Sequence, residues 1–296
     1  WRRSNVDVFL KELYDRIQAK KPWVRFGMGT FGIWTTQTKV AQAYGISLPS
    51  GISGLDDYDV QACNPIEWVK NGYVDYINPQ LYWATTSSGQ DYDVLCKWWS
   101  QDVCEHFSNL RPDGKRVHFF SSQAAYRAVD GGFSEGVVEI QKQITANRKN
   151  LSSGTTGSVF YNTKSYRTMA NDLAESHFIY KAIPPAMNWK TEKTLDAPTN
   201  LVVSGKTISW QHPTAERFTI YAYPQGLDFS TAQKDAQYLC RVVYGKSCNL
   251  DINGLEHMTI AVCTYDRFGV EHKAAIWNEG KFPDPDPNAT EITWVL

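Results

Sequence analysis

The sequence lacks long hydrophobic runs and any excess of one charge sign. No stretch of about 18 consecutive apolar residues occurs, so no segment is predicted to span a membrane. The chain has 296 residues, and its 30 Lys and Arg are balanced by 31 Asp and Glu. Proteins that track nucleic-acid phosphates usually carry a basic excess or stripe, so we expect no nucleic-acid partner.

Cysteine and histidine are too sparse and too scattered for the usual metal motifs. The six Cys include no CxxC pair, and the six His include no HxxxH or HExxH spacing. We therefore expect neither a metal nor a cofactor. Cys240 and Cys248 could close a small loop in an exported protein, but buried free thiols are the simpler interpretation.

Aromatic residues, in contrast, are abundant, at 14% of the chain with 11 Trp and 16 Tyr. Such rings can fill a hydrophobic core, and they can also stack against the C–H faces of sugar rings. Composition alone leaves both roles open. The chain begins with WRRSNVDVFLKEL, which predicts the interior of a longer gene product or a processed form.

The stretch at residues 72–83, GYVDYINPQLYW, has the composition of a strand that is covered on both faces. A helix over residues 64–71 is predicted to precede it, with Gly72 as its stop signal. Gln80, Tyr82 and Trp83 lie at the far end, where the strand passes into a loop. In parallel α/β proteins this carboxyl end is where ligands bind.

The first 180 or so residues repeat this unit. Strands are predicted at 24–29, 73–82, 117–121 and 157–161, and helices at 4–17, 64–71, 91–107, 135–148 and 165–178. Ser4 and Ser134 are the predicted N-terminal caps of the first and fourth helices. This alternation predicts a parallel sheet, with half of the strands that a closed (β/α)8 barrel needs. The long loop at residues 30–57 is predicted to be functional.

The remaining third of the chain has a different character. Residues 183–196 contain two prolines and have no regular period, which predicts a linker or docking segment after a first domain at 1–182. Residues 197–280 hold about seven short strands separated by turns, a pattern typical of a β-sandwich. Residues 281–296 form a Pro/Asp-rich tail that we expect to be loosely held.

Two long motifs resemble the glycoside-hydrolase-like family 10. Residues 1–34 contain WRR-x-N, KPWV-x-FG and FG-x-W, and residues 72–83 contain VDYI-x-PQ-x-YW, in the order in which this family has them. The paired Trp98 and Trp99 and the Ala125–Tyr126 pair also match. The segment 197–278 resembles a fibronectin type III domain through AP-x-NL, a buried Trp and DRFG, but it has Met258 where that family often has Tyr.

The resemblance implies an α/β fold in which residues 1–182 are strands five to eight of a TIM barrel. A fibronectin type III-like sandwich follows them. It implies an exported bacterial protein, periplasmic or associated with the cell envelope, that hydrolyses a glycan. Peptidoglycan-type N-acetylhexosamine chains are the favoured substrate. It also implies that the missing first half of the barrel pairs with this one.

Glycoside hydrolysis commonly uses two carboxyl groups on either side of the scissile bond. None of the predicted strands ends in Asp or Glu, and the resemblance places the acidic pair upstream of Trp1. Asp130 and Glu135 are weak catalytic candidates, because acids at such positions more often lie at helix N-termini. Asp75, in the first half of its strand, is predicted to be structural.

The predicted substrate-binding residues follow the carboxyl ends of the strands. They are Trp1, Arg2, Arg3, Trp34, Gln80, Tyr82, Trp83, Gln123, Tyr126, Tyr161 and Asn162. Each has a structural alternative: the arginines could pair with surface acids, the tryptophans could belong to the core, and the amides could form buried networks.

Two other hypotheses remain open. A non-catalytic glycan-binding protein with a degenerate cleft would bind sugar without turnover. An open, flavodoxin-like domain would have helices on both faces of its sheet, whereas a half barrel has them on one side. For a half barrel, we expect the first and last strands to be exposed or to pair with another polypeptide segment.

Overall fold

The computed structural model describes residues 1–150, 156–191 and 193–278. Contacts divide the chain into two units. Unit 1 comprises residues 1–179 with 188–190, and unit 2 comprises residues 180–187 with the described residues from Thr191 onwards. The predicted tail at 281–296 and the last two residues of the predicted sandwich lie outside the described residues. In the described part of the chain, every helix is too short or too polar to cross a membrane.

Unit 1 alternates helices with short strands. Its strands are β1 (Gly27–Met28), β2 (Tyr76–Ile77), β3 (His118–Gln123) and β4 (Thr156–Phe160). Its α-helices are α1 (Arg2–Lys20), α2 (Thr38–Ala43), α3 (Asp57–Val60), α4 (Pro65–Asn71), α5 (Tyr92–Lys97), α6 (His106–Asn109), α7 (Ala125–Val129), α8 (Val137–Lys149) and α9 (Thr163–Ser176). A π-helix (Trp98–Glu105) joins α5 to α6, and a 3₁₀-helix lies at Asn188–Lys190.

The four strands form a parallel sheet in the order β1-β2-β3-β4, which confirms the predicted parallel arrangement. β2 is much shorter than the predicted strand at 73–82. Pro79 has no N–H to donate, so regular pairing ends at Ile77 and resumes only as a bridge from Gln80 to Phe31 and Ser122. Among the described strands, β1 and β4 have one neighbour each, so both edges of this sheet are unpaired there.

The two faces of the sheet have different surroundings. Ile77 and Phe119 are fully buried in a core that includes residues of α1, α4, α5 and the π-helix. The opposite face carries Tyr76 and Phe120, whose rings pack edge to face at 5.5 Å but remain partly exposed. A Cβ at Gly157 would lie 2.6 Å from the Phe120 ring, so only glycine fits beside it. Helices on one face and a partly open aromatic layer on the other favour a barrel segment over a sheet covered on both sides.

The helix that leads into β2 has the predicted start and stop. α4 follows Asn64, and its first residue, Pro65, has no N–H that needs a helical partner. α4 ends at Gly72, whose φ of 67° is left-handed and therefore favours glycine. Residues 73–75 lead from Gly72 into β2, so the local sequence determines where the helix ends, whereas the strand begins at Tyr76 and not at the predicted residue 73.

Three other helix predictions are corrected by the structure. Ser4 is not a cap: it lies in the first turn of α1, and its hydroxyl donates to the carbonyl of Trp1 at 2.9 Å. Ser134 is not a cap either, because α8 begins only at Val137. The single helix predicted at 91–107 is divided into α5, the π-helix and α6.

Buried charges lie near the amino ends of the strands. Asp75 is 1% exposed and accepts hydrogen bonds from the Phe26 N–H at 2.9 Å and the Tyr14 hydroxyl at 3.1 Å. The ammonium groups of Lys190 and Lys115 lie 3.0 and 3.4 Å from its carboxylate. Burial lowers the pKa of Lys115 to about 8, although Asp75 opposes this shift. These contacts confirm the structural role predicted for Asp75.

The predicted linker contributes to both units. Trp189 packs its ring on His118 at 5.1 Å within unit 1. Within unit 2, Met187 is buried and donates its N–H to the carbonyl of Phe268 at 2.9 Å. The segment therefore has packed positions, which fits the docking alternative better than a free linker.

Unit 2 consists mainly of antiparallel strands. They are β5 (Thr199–Ser204), β6 (Thr207–Gln211), β7 (Arg217–Pro224), β8 (Leu239–Tyr244), β9 (Ser247–Asn249), β10 (Met258–Tyr265) and β11 (Glu271–Trp277). Short helices lie at Phe229–Ala232 (α10), Ala236–Tyr238 and Leu255–His257. The strands form two sheets, β5-β6-β9 and β11-β10-β7-β8. Trp210 of one sheet and Phe218 of the other pack at 5.2 Å in a shared core.

Candidate functional site

Three tyrosines meet at the carboxyl ends of neighbouring strands. Tyr82, Tyr126 and Tyr161 follow β2, β3 and β4, and we call them the tyrosine cluster. The ring centroid of Tyr82 lies 6.2 Å from that of Tyr126 and 6.1 Å from that of Tyr161, and the Tyr126 and Tyr161 centroids are 6.1 Å apart. Tyr161 is 56% exposed and the other two are half-buried, so the cluster can be reached from solvent.

Backbone contacts hold the tyrosine cluster in place. The Tyr126 N–H donates to the Tyr161 carbonyl at 3.2 Å, and the Tyr161 N–H donates to the Gln123 carbonyl at 2.9 Å. The Arg127 guanidinium donates to the Tyr82 carbonyl at 2.6 Å. Burial raises the pKa of Tyr82, so its hydroxyl keeps its proton at neutral pH and can donate as well as accept.

A second aromatic group adjoins the end of β2. The rings of Phe31 and Trp83, which we call the rim pair, pack edge to face at 5.5 Å. Gln80 is exposed, and its N–H donates to the carbonyl of Thr30 at 2.9 Å. The strand ends therefore present aromatic rings together with one free amide side chain, an arrangement suited to a neutral ligand with hydroxyl groups.

A buried carboxylate supports the loop that follows Trp83. Glu139 of α8 is 2% exposed and accepts from the Thr85 N–H at 2.8 Å, the Thr85 hydroxyl at 3.2 Å and the Gln143 amide at 3.0 Å. Glu139 is not among the residues predicted from the sequence. An acid inside a predicted helix gives no signal of burial, because its partner Thr85 lies far away along the chain.

The amides at the ends of β3 and β4 have structural partners. Gln123 is fully buried, and its amide donates to the Gln143 side chain at 3.3 Å, which fits the network alternative. Among the described residues, neither its Oε1 atom nor the hydroxyl of Thr30 has a hydrogen-bond partner. Asn162 caps α9 by accepting from the Ser165 N–H at 3.1 Å. The peptide bond between Tyr161 and Asn162 is cis.

The structure does not bring four of the predicted binding residues to the tyrosine cluster. Trp1 is 91% exposed and Arg2 is exposed at the start of α1. Arg3 stacks on the Tyr58 ring at 3.8 Å and lies 3.6 Å from Asp59, so it follows the surface-pairing alternative.

Trp34 is only 1% exposed, and it is the fourth of these residues. The rings of Tyr44, Tyr58 and Trp98 pack around it with centroids 5.4 to 6.4 Å away. No face of Trp34 is open to stack on a sugar, so the core alternative is correct for it.

We expected the two weak catalytic candidates to be helix N-terminal acids, but the structure places neither of them in the first turn of a helix. Asp130 is exposed at the C-terminal end of α7 and accepts from the Gly132 N–H at 3.0 Å. Glu135 forms an exposed ion pair with Lys142 at 2.6 Å. The Asp130 N–H donates to the Tyr126 carbonyl at 2.9 Å, but the carboxylates of both residues have their described partners elsewhere.

Unit 1 also contains a cavity away from the strand ends. It has a volume of about 680 Å³ and lies between residues 45–49 and 94–109, and none of its lining residues belongs to the tyrosine cluster or the rim pair. Within the described ranges, no group of three or more His, Cys, Asp or Glu side chains is arranged to hold a metal ion. The strand ends are the candidate site because the predicted aromatic residues and an exposed amide meet there.

Comparisons with known proteins agree with the family resemblance of the motifs at residues 1–34 and 72–83. Residues 1–121 match the family model for glycosyl hydrolase-like 10. The chain is 31% identical over 196 residues to glycosyl hydrolase YngK of Bacillus subtilis, which covers 64% of this chain and 35% of that protein. It is 30% identical over 154 residues to glycosyl hydrolase DigH of Escherichia coli K12, covering 50% of this chain and 32% of DigH.

These matches concern part of each protein. The chain spans about a third of the length of the curated relatives that it matches. The family model covers the chain from α1 to the first part of β3, and this span includes both long motifs. Residues 1–121 therefore resemble a segment of a glycosyl hydrolase-like 10 domain.

Proposed function

We propose that unit 1 is the second half of a TIM-barrel domain of the glycosyl hydrolase-like 10 family, and that its strand ends bind a glycan. The main support is the tyrosine cluster, which joins the ends of three successive parallel strands in a position open to solvent. A phenol ring offers an apolar face and a hydroxyl group together, which suits the C–H faces and hydroxyls of a sugar.

The proposed substrate-binding face has two parts. The tyrosine cluster forms one, and the rim pair with the exposed Gln80 forms the other. Gln80 can donate to and accept from sugar hydroxyls. The rings and the amide of this face are uncharged, and the neighbouring Arg127 guanidinium is bound to the Tyr82 carbonyl, so the face fits a neutral glycan such as an N-acetylhexosamine chain.

Catalysis is proposed to depend on carboxylates from another part of a longer polypeptide. The stretches 29–34, 78–83, 124–129 and 161–166, which follow the four strands, contain neither Asp nor Glu. Glycosidases need an acid and a base or nucleophile at such positions. The same observation favours the alternative function, a glycan-binding protein without turnover.

The unpaired edges of the sheet support pairing with further barrel strands. α1 exposes Val6 and Phe9 along one side, and β4 exposes Val159. In a closed barrel, neighbouring βα units would cover such residues and the partly open layer of Tyr76 and Phe120. We propose that the first half of the barrel occupies this position.

Unit 2 is proposed to be a fibronectin type III-like accessory domain. Its three-stranded and four-stranded antiparallel sheets enclose a common core that contains Trp210, as expected for such a sandwich. An exported, cell-envelope location is part of the same proposal and rests on the resemblance.

Titration calorimetry with N-acetylglucosamine oligomers tests the binding function. We expect the chain to bind them, and the substitution Tyr82→Ala to weaken the affinity by at least about fivefold, because one aromatic face of the cluster is lost. Tyr244→Ala is the matched control, since Tyr244 is an exposed tyrosine of unit 2. Equal losses in the two variants, or no binding by the unchanged chain, would contradict the proposal.

Assays of a longer polypeptide that includes the preceding segment separate the two functions. Release of reducing ends indicates hydrolysis, whereas binding without release indicates the non-catalytic alternative.

A further inference from the structure

Two successive tryptophans of the π-helix hold the long loop that follows β1. Trp98 and Trp99 are both buried, and their rings pack at 4.9 Å. The indole N–H of Trp98 donates to the Ser47 carbonyl at 2.7 Å, and that of Trp99 donates to the Gly32 carbonyl at 2.8 Å. The two indole groups therefore bind backbone carbonyls at two separate points of the segment between β1 and α3.

The Trp99 contact falls next to the proposed binding face. A Cβ on Gly32 would overlap the Gln80 carbonyl oxygen and lie 2.6 Å from the Trp83 ring. The backbone at Gly32 thus packs directly against the residues that follow β2, closer than any residue with a Cβ atom could. Phe31, the preceding residue, forms the rim pair with Trp83.

Helix α3 also holds this short segment. The Tyr58 N–H of α3 donates to the Trp34 carbonyl at 2.8 Å. The carboxyl group of Asp57, the preceding residue, is buried and lies close to the Phe31 N–H. The backbone of residues 31–34 is therefore held by α3 on one side and by the π-helix on the other.

From these contacts we propose that Trp99 is a positioning residue for the rim pair. By holding the Gly32 carbonyl, it keeps the Gly32 backbone against Gln80 and Trp83 and so orients Phe31 toward the proposed glycan. Trp99 is fully buried and does not touch a ligand on this face. The proposal rests on the proposed function for its ligand, but the positioning of the loop can be tested without any sugar.

Hydrogen exchange measured by mass spectrometry tests the positioning in the full chain. Trp99→Phe keeps an aromatic ring but removes the donor, and Trp98→Phe is the matched control on the same helix. We expect Trp99→Phe to speed exchange in peptides spanning residues 29–36 at least tenfold, whereas Trp98→Phe speeds exchange at residues 45–50 instead. Unchanged exchange at 29–36 in Trp99→Phe, or equal acceleration there in both variants, overturns the inference.

Calorimetry with N-acetylglucosamine oligomers then measures the effect on binding. The affinity of Trp99→Phe should fall at least fivefold, while that of Trp98→Phe stays within twofold of the unchanged chain. Equal affinities of the two variants overturn the role of Trp99 in binding. If the unchanged chain does not bind the oligomers, the proposed function fails, and the exchange experiment still decides the positioning of the loop.

A second variant tests whether Trp99 acts through Gly32. Gly32→Ala forces the loop away from Gln80 and Trp83, so it should accelerate exchange at residues 29–36 while Trp99 is intact. The double variant should be little worse than either single one, because both break the same contact. Effects that simply add would overturn the mechanism. If Trp99→Phe does not fold, Gly32→Ala alone tests the mechanism. Unchanged exchange at residues 29–36 in Gly32→Ala would then overturn it.

Discussion

Replacing Asp75 with Asn should destabilise unit 1 strongly. The carboxylate of Asp75 is the shared counter-ion of Lys115 and Lys190, whose ammonium groups lie 3.4 and 3.0 Å away. An amide of the same shape can still accept from the Phe26 N–H, but it brings no negative charge. Two largely buried cations would then face each other without a counter-charge.

Asp75→Asn should lower the free energy of unfolding more than Lys190→Met does. Removing one partner of a buried ion pair typically costs about 3–5 kcal/mol, and we expect Asp75→Asn to fall in this range. Lys190→Met leaves Asp75 paired with Lys115 and removes the repulsion between the two lysines. Its expected cost is therefore lower, about 1–3 kcal/mol, because the hydrogen bonds of its ammonium to Asp75 and Gln18 are lost while the repulsion is relieved.

Thermal unfolding at pH 7, followed by Trp fluorescence, measures the difference, since most Trp residues lie in unit 1. For a domain of this size, the loss in Asp75→Asn corresponds to a Tm lower by roughly 6–20 °C. Asp15→Asn is the control, because Asp15 forms an exposed pair with Lys11 on α1 and should leave Tm close to that of the unchanged chain. A Tm for Asp75→Asn no lower than that for Lys190→Met would refute the reasoning.

Two further predictions concern buried charges in unit 1. The pKa of Lys115 is lowered from 10.5 to about 8, so between these values the unfolded chain binds more protons and unfolding becomes less favourable as pH rises. Urea titrations between pH 8 and 10 should therefore show that the free energy of unfolding of the unchanged chain rises relative to that of Lys115→Met. A difference between the two that does not change with pH would contradict this. Glu139→Gln should cost about 1–3 kcal/mol, because an ionised acceptor of Thr85 and Gln143 becomes a neutral amide. Hydrogen exchange at residues 84–87 should rise with it, and an equal change in the exposed control Glu135→Gln would show that burial is not the cause.

Sequence signals were reliable where the cause is local. Helix α4 was predicted to its end, because the left-handed position of Gly72 needs no distant partner. The same kind of signal failed for Ser4, whose hydroxyl binds its own helical turn, and for β2, where a single Pro79 shortened the ladder. The residue type alone was not decisive in either case, because a serine can bond within its own helical turn as well as cap it, and a proline breaks only the bond that its missing N–H would have made.

The sequence by itself determined that the carboxyl ends of β2, β3 and β4 lie at one edge of a sheet, because strands that alternate with helices form a parallel sheet. Only the tertiary structure decided that these three strands are neighbours and which side chains their ends present. Trp83 is partly exposed at the rim while Trp34 is enclosed by three other rings, although both tryptophans follow a strand in the same way. Burial depends on what distant segments place around a ring, and so it could not be read from the position of either residue along the chain.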